Sequence, residues 1–210
     1  MGQGSYVICE WDSVQKELPA FQLALKSLEQ TLLAKCAADW GSLTKPKTFG
    51  GLTPEKNEFG RTTILPALFN DHNGVQMATW RQLFTLPGSQ TLMTGARAGN
   101  ILPEDFKVGI IGFAFPNKNE HITEIKMQIG DRKFGRFNLE EMKIYNKPAI
   151  IFEEGYIIDE KEAFDLYGYV KGPIPVHVGN YTALHQRIVP LGFAAYTVID
   201  RVLGQCGAAI

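Results

Sequence analysis

Cysteine is scarce in this chain. Cys9, Cys36 and Cys206 are the only three among 210 residues, and they share no metal-ligand spacing. A disulfide framework is therefore not expected, although a single Cys9–Cys36 or Cys36–Cys206 bridge stays open. An excess of either charge is lacking too: 21 basic and 22 acidic residues leave a formal net charge of −1. That balance provides no global basic field to draw nucleic acid or an anionic membrane surface. Apolar runs are short, and none reaches the roughly 18–20 residues of a membrane-spanning helix. The nearest candidate, Ile188 to Leu203, is interrupted by Pro190, Asp200 and Arg201. The opening MGQGSYVICEWDSV has no charged start followed by an apolar run, so no secretory signal is read there. Tyr6 stands where an N-myristoylation motif wants Ser or Thr.

Recognisable chemistry is also missing. Ser-based hydrolysis lacks a G-x-S-x-G elbow. Gly95-Ala96-Arg97-Ala98-Gly99 has no following Lys-Ser/Thr and reads as a flexible loop rather than a phosphate loop. The four histidines, His72, His121, His177 and His185, form no H-x-H or H-x-x-x-H pair. His177 and His185 would have to meet across a hairpin to hold a metal. No cofactor, metal site or catalytic residue is expected.

What is present is mostly β pattern. From Val75 onward, short apolar runs alternate with polar residues and are cut by turn residues about every ten positions, as in an all-β sandwich or barrel. Gln76–Leu86 is rich in Trp, Phe, Thr and Leu and ends at Pro87-Gly88. Phe106–Phe115 is nearly all apolar, as a strand buried on both faces would be. Thr123, Ile125, Met127 and Ile129 alternate with Glu124, Lys126 and Gln128, so one face is buried and one wet. Gly130-Asp131 is a hairpin signal, with Arg132–Leu139 returning and Phe137 and Leu139 turned inward. Ala149–Phe152 and Tyr156–Ile158 read as strands separated by a turn at Glu153-Glu154-Gly155. Phe164–Val170 follows. Gln186–Val198 reads as an edge strand or one bulged at Pro190, with a helix over Ala194–Leu203 as the alternative. The count is about eight strands, the number in a double-sheet jelly roll.

The N-terminal part differs. Val14, Leu18, Phe21, Leu25, Leu28 and Leu32 recur at three- and four-residue spacing and predict a helix from about Pro19 to Asp39, stopped by Gly41. Asp12 and Gln15 look like a capping box at its entry. The stripe either packs on its own domain or meets a neighbouring subunit. Residues 41–75 carry five Gly and three Pro and read as irregular. The expected division is 1–74 as helix and extended arm, and 75–210 as β-domain.

Three further clusters have a candidate chemistry. Glu153, Glu154, Asp159, Glu160 and Glu162 are the densest acidic group, suited to an acid/base pair or calcium ligation but more simply a solvated turn. Arg132, Lys133 and Arg136 with Phe134 and Phe137 would make a basic-aromatic strip for single-stranded nucleic acid. Tyr145, Tyr156, Tyr167 and Tyr169 would stack on sugars if the domain bound carbohydrate. Asn180-Tyr181-Thr182 matches a glycosylation acceptor that stays idle without secretion.

The order IIGFAF, ITEIKMQIGDRKFGRFNLEE, KPAIIFEEGYIIDEKEAFDLYGYVKG and QRIVPLGFAAY resembles the single jelly-roll capsid and structural proteins of icosahedral archaeal or bacterial viruses, over about residues 75–200. The resemblance implies a mainly β, antiparallel jelly-roll sandwich with an N-terminal helical segment. It also implies a non-catalytic shell subunit, assembled in the host cytoplasm into a virion. Its partners would be copies of itself and other shell proteins, with the Val14–Leu32 stripe as an assembly interface. Many such proteins carry a basic inner arm. Here Lys45, Lys47, Lys56 and Arg61 are set against Glu55 and Glu58, so direct nucleic-acid binding is not expected.

Overall fold

The computed structural model describes residues 6–9, 19–40, 47–48, 59–116, 121–144, 149–172 and 184–197. In chain order these form β1 (Tyr6–Cys9), α1 (Pro19–Trp40), β2 (Lys47–Thr48), β3 (Phe59–Thr63), a 3-10 turn (Pro66–Leu68), β4 (Phe69–Asn70), β5 (Arg81–Phe84), β6 (Gly88–Gly95) and β7 (Phe106–Ala114). They continue with β8 (Ile122–Ile129), β9 (Arg132–Asn138), α2 (Glu140–Ile144), β10 (Ala149–Ile158), β11 (Phe164–Val170), β12 (Leu184–Arg187) and β13 (Val189–Thr197).

Two sheets carry the architecture. One runs β1-β10-β7-β13-β3-β2, the other β4-β6-β11-β8-β9, and β12-β5 forms a separate ribbon. Among the described residues every long pairing is antiparallel, and only the two-residue β2 lies parallel to its neighbour β3. The result is mainly β and consistent with a sandwich. Val108, Ile110, Phe113, Ile150 and Phe152 from the six-stranded sheet share one buried core with Leu92, Ile125, Met127, Phe164 and Leu166 from the five-stranded sheet.

The third layer is α1. Pro19 opens it, in the first helical position where its missing N–H costs nothing. Leu28 packs on Ile111, Ala149, Ile151 and Leu191, while Leu32 and Cys36 pack on Phe59 and Ala195. These contacts cover the outer face of the six-stranded sheet. They explain why β7 is apolar on both faces: alternate residues meet the other sheet and the helix. Glycine lets the helix come this close. A Cβ on Gly155 would stand 2.6 Å from Leu28, and one on Gly109 would stand 3.1 Å from it.

The described part of the stripe packs on its own domain, the first of the two readings of the stripe. Leu28 and Leu32 are fully buried in this chain's own core, and Leu25 is half-buried against it. Val14, Leu18, the Phe21 side chain, the Asp12–Gln15 cap and Gly41 lie outside the described residues. Strands on both sides of residue 75 pair within each large sheet, as β3 does with β13 and β4 with β6. The stretch read as irregular up to residue 75 therefore supplies a sheet strand, Phe59–Thr63.

Other expectations fare unevenly. The hairpin at Gly130 forms, with that glycine at φ +53, and Ile125, Met127, Ile129, Phe137 and Leu139 are buried. The strand expected over Gln76–Leu86 shrinks to β5. Glu153-Glu154-Gly155 is a bulge inside one strand, not a turn between two. From Ile151 to Tyr156, β10 takes five steps while β7 takes two, from Gly112 to Ile110. β13 is central rather than an edge, lying between β7 and β3, and it excludes a helix over Ala194–Thr197. Its pairing with β3 begins only at Phe193, so Pro190 lies where β13 has a single partner, β7, and needs no second amide bond.

Candidate functional site: the junction of helix and sheet

Lys107 is the one charged residue in the apolar run of β7, and its side chain is 1% exposed. A lysine buried to that degree needs partners. Its Nζ lies 2.7 Å from Asp39 Oδ2 on the last turn of α1 and also bonds Asp159 Oδ1 in the turn after β10. Lys35 Nζ sits 2.6 Å from the other Asp159 oxygen. Two lysines and two aspartates thus alternate in a neutral chain of four. Trp40 closes one side, with Lys107 Nζ 5.0 Å from its ring centroid. The Trp40 indole N–H donates to Glu160 Oε1 at 3.3 Å, and Glu160 Oε2 accepts from the Asp105 amide at 3.2 Å. Farther along the helix, Glu29 pairs with Arg61 of β3.

The electrostatics keep Lys107 and Asp159 charged. Burial by itself would lower the Lys107 pKa, but the bonds to Asp159 and Asp39 outweigh it and raise the value. Burial works the other way on Asp159, and Lys107 and Lys35 together hold its carboxyl below the usual aspartate value. Burial pushes the adjacent Cys36 thiol up to about 12, so it is a packing group rather than a thiolate. The junction thus offers two ammoniums, two carboxylates and a neutral thiol, arranged to fasten α1 to the sheet. Asp39 would be unfavourable at a helix C-terminus, and Lys107 offsets it.

The acidic cluster separates into two groups. Asp159 and Glu160 belong to the junction, and Glu162 Oε2 accepts from the Asp159 amide at 2.9 Å. Glu153 and Glu154 are exposed on the bulge. No group of three or more His, Cys, Asp or Glu able to hold a metal occurs among the described residues. His72 and His121, the two histidines whose side chains are described, lie against different neighbours. The His72 ring lies 4.7 Å from Phe84, His121 Nδ1 lies 3.1 Å from the Lys171 carbonyl oxygen, and His177 and the His185 side chain lie outside the described residues.

The tyrosines with described side chains form no common platform. Tyr167 and Tyr169 share one face of β11, whereas Tyr156 packs on Phe134 at 4.4 Å and Phe152 at 5.4 Å. Tyr145 and the Asn180 acceptor lie outside the described residues. The basic-aromatic strip is also divided, because Phe137 is buried in the core and Phe134 packs against it while Lys133 and Arg136 are exposed. No helix among the described residues is long and apolar enough to cross a membrane.

Beside the junction lies a cleft of about 250 Å³ between α1, the β8–β9 hairpin and β10. Lys35, Ile129, Arg132, Phe134, Tyr156 and Glu162 are among its walls. Burial raises the Tyr156 pKa, aided by the nearby Glu154 charge. Sequence reasoning missed both the junction and the cleft. The signal for the first was present: a lone lysine inside FKVGIIGFAF demands a buried counter-charge. Comparison with protein-family models, with curated proteins and with solved structures finds no match to this chain in any of the three.

Proposed function

We propose that this chain is a non-catalytic structural subunit of a viral capsid or similar protein shell, with its sandwich wound as a jelly roll. One observation carries the reading, the strand order. Taking the eight strands β3, β6, β7, β8, β9, β10, β11 and β13 in sequence as first to eighth, one sheet reads first-eighth-third-sixth and the other second-seventh-fourth-fifth. Consecutive strands alternate between sheets except for the fourth and fifth, which form the β8–β9 hairpin. That winding fits two interlocked Greek keys, the arrangement shared by capsid, lectin and cupin domains. Among those three, the sequence resemblance favours the shell.

The packing of α1 alters how such a subunit would assemble. Leu28 and Leu32 are used within the chain, so contacts between copies would come from the β-domain. Assembly in the host cytoplasm into a virion, alongside other shell proteins, follows from the same reading. The test is light scattering and negative-stain electron microscopy of the purified chain across protein concentration. The reading expects concentration-dependent, regular assemblies. A strict monomer at high concentration, with and without material from the native source, would overturn it.

A further inference from the structure

We propose that the cleft between α1, the β8–β9 hairpin and β10 binds a sugar acid, a six-membered sugar ring bearing one carboxylate. Its walls come from segments distant in sequence: Lys35 from α1, Arg132 and Phe134 from the hairpin, Tyr156 from β10 and Glu162 from the turn that follows. Strands and a packed helix hold most of these side chains, so the cleft is largely preformed. At about 250 Å³ it lies below the roughly 300–1,000 Å³ of clefts that enclose larger ligands, and it suits one small ring.

The ionised groups set the charge of that ligand. Lys35 is matched by Asp159 at 2.6 Å, while Arg132 has no ion pair among the described residues. The cleft therefore presents one cation without a counter-charge, and a planar guanidinium matches a carboxylate through paired N–H donors. A second negative charge would be opposed by Glu162 in the wall and by Glu154, whose charge already bears on Tyr156. A carboxylate at a single negative charge fits this balance better than a phosphate monoester at about −1.5 to −2.

The remaining groups fit a ring edged with hydroxyls. An ammonium has three donors, so Lys35 keeps two beyond the one directed at Asp159. Glu162 accepts from the Asp159 amide through Oε2 and keeps Oε1 as an acceptor for a ligand. The Tyr156 hydroxyl has no hydrogen-bond partner among the described residues, and burial keeps it protonated, as a donor. Phe134 and Tyr156, with ring centroids 4.4 Å apart and planes inclined at 58°, supply apolar surface for the C–H face of the sugar. Lys133, the residue after Arg132, stands opposite Gln128 and is not part of the cleft wall.

The proposal does not rest on the shell reading, and its failure leaves that reading untouched. The experiment is saturation-transfer NMR of the full chain with sodium D-glucuronate, which reads the ligand's protons whether the chain is monomeric or assembled. Saturable transfer to the ring protons is expected, with a Kd of roughly 1 mM. D-glucose, which lacks the carboxylate, and cyclohexanecarboxylate, which lacks the hydroxyls, should each bind about tenfold or more weakly. Arg132→Gln should weaken glucuronate binding by about the same factor, and Tyr156→Phe by about threefold. Lys133→Gln should leave binding unchanged. Arg132 is exposed, so its replacement does not threaten the fold, and circular dichroism checks this. Methyl glucuronoside separates two sources of the same group. Binding equal to that of the free acid assigns the cleft to the end of a glycan chain, and loss of binding assigns it to the free sugar acid; the site stands in either case. Four results would overturn the proposal. They are no saturable transfer, equal binding of glucose or cyclohexanecarboxylate, an Arg132→Gln variant that binds as the parent does, and a loss as large from Lys133→Gln as from Arg132→Gln.

Discussion

Two of the polar regions buried among the described residues, the junction and the β5–β12 ribbon, are completed to different degrees. At the junction, Lys107 is as buried as any core leucine, yet its ammonium reaches two carboxylates and an indole ring. In the ribbon of β5 and β12, Gln82 and Gln186 stand directly opposite one another, each 2% exposed. There Gln82 Nε2, Gln186 Oε1 and the nearby His72 Nδ1 have no hydrogen-bond partner among the described residues, although Gln82 Oε1 accepts from the His72 amide at 3.4 Å. The contrast separates two uses of polarity. A satisfied ionic group is costly to cut on one side, because the remaining charge is stranded. An unsatisfied amide already bears its desolvation cost, so its removal should cost little.

The largest expected effect comes from breaking the satisfied region. Lys107→Met leaves Asp39 and Asp159 facing one another without their shared cation. It should lower unfolding free energy by about 3 kcal/mol, the lower end for one-sided loss of a buried pair, since both aspartates keep some solvent. Urea unfolding followed by tryptophan fluorescence measures it. Replacing both Lys107 and Asp159 by apolar residues of similar size should recover part of the loss. A single variant as stable as the parent would mean that the junction does not fasten the helix.

A smaller effect should appear on titration. The Asp159 pKa is depressed in the folded state, so its contribution is complete above the ordinary aspartate value and is lost as pH falls through the depressed one. The Lys107 pKa is raised, so its contribution is complete below the ordinary lysine value of 10.5 and fades as pH climbs past the raised one. The junction should therefore loosen at both extremes and stay constant between them. Asp159→Asn should flatten the acid limb of a melting-temperature profile, and an unchanged limb would assign acid sensitivity to other carboxylates. The ribbon contains no ion pair among the described residues and should follow neither limb.

How much of this was legible in the sequence depends on where the determining partner lies. The β8–β9 hairpin was readable because alternation and Gly130 are local. The two-sided burial of β7 was readable as well, and the apolar stripe of Leu28 and Leu32 fitted a helix packed on its own domain, but nothing local said that β7 was the strand it covers. β6 is GSQTLMTG, too small and polar to announce a strand, and it forms because β11 and β4 pair with it. Phe59–Thr63 was hidden among glycines for the same reason, its partner being β13. Gly155 looked like a turn residue because a glycine admitted for close approach to Leu28 and one admitted for a turn are the same letter. In the candidate site, the buried lysine was visible locally, but Asp159 lies 52 positions away, and only folding selects it from the other acids of its cluster.

The smallest effect is expected in the unsatisfied ribbon, and it tests the contrast most sharply. Gln82→Leu with Gln186→Leu exchanges two buried amides for apolar groups of similar volume. The ribbon loses the bond to the His72 amide, worth about 1 kcal/mol, and loses two atoms whose burial without partners costs about as much or more. The double variant should therefore unfold within about 1 kcal/mol of the parent, on either side. Gln186→Leu alone forfeits no bond seen in the structure and should be neutral or stabilising. A loss near that of Lys107→Met would mean that these amides are satisfied in solution by ordered water, which a buried site with several polar neighbours can hold. The ribbon would then resemble the junction, with water in the place that Asp159 takes beside Lys107. Differential scanning calorimetry of the two single variants and the double variant would distinguish the cases, because a shared water makes their effects non-additive.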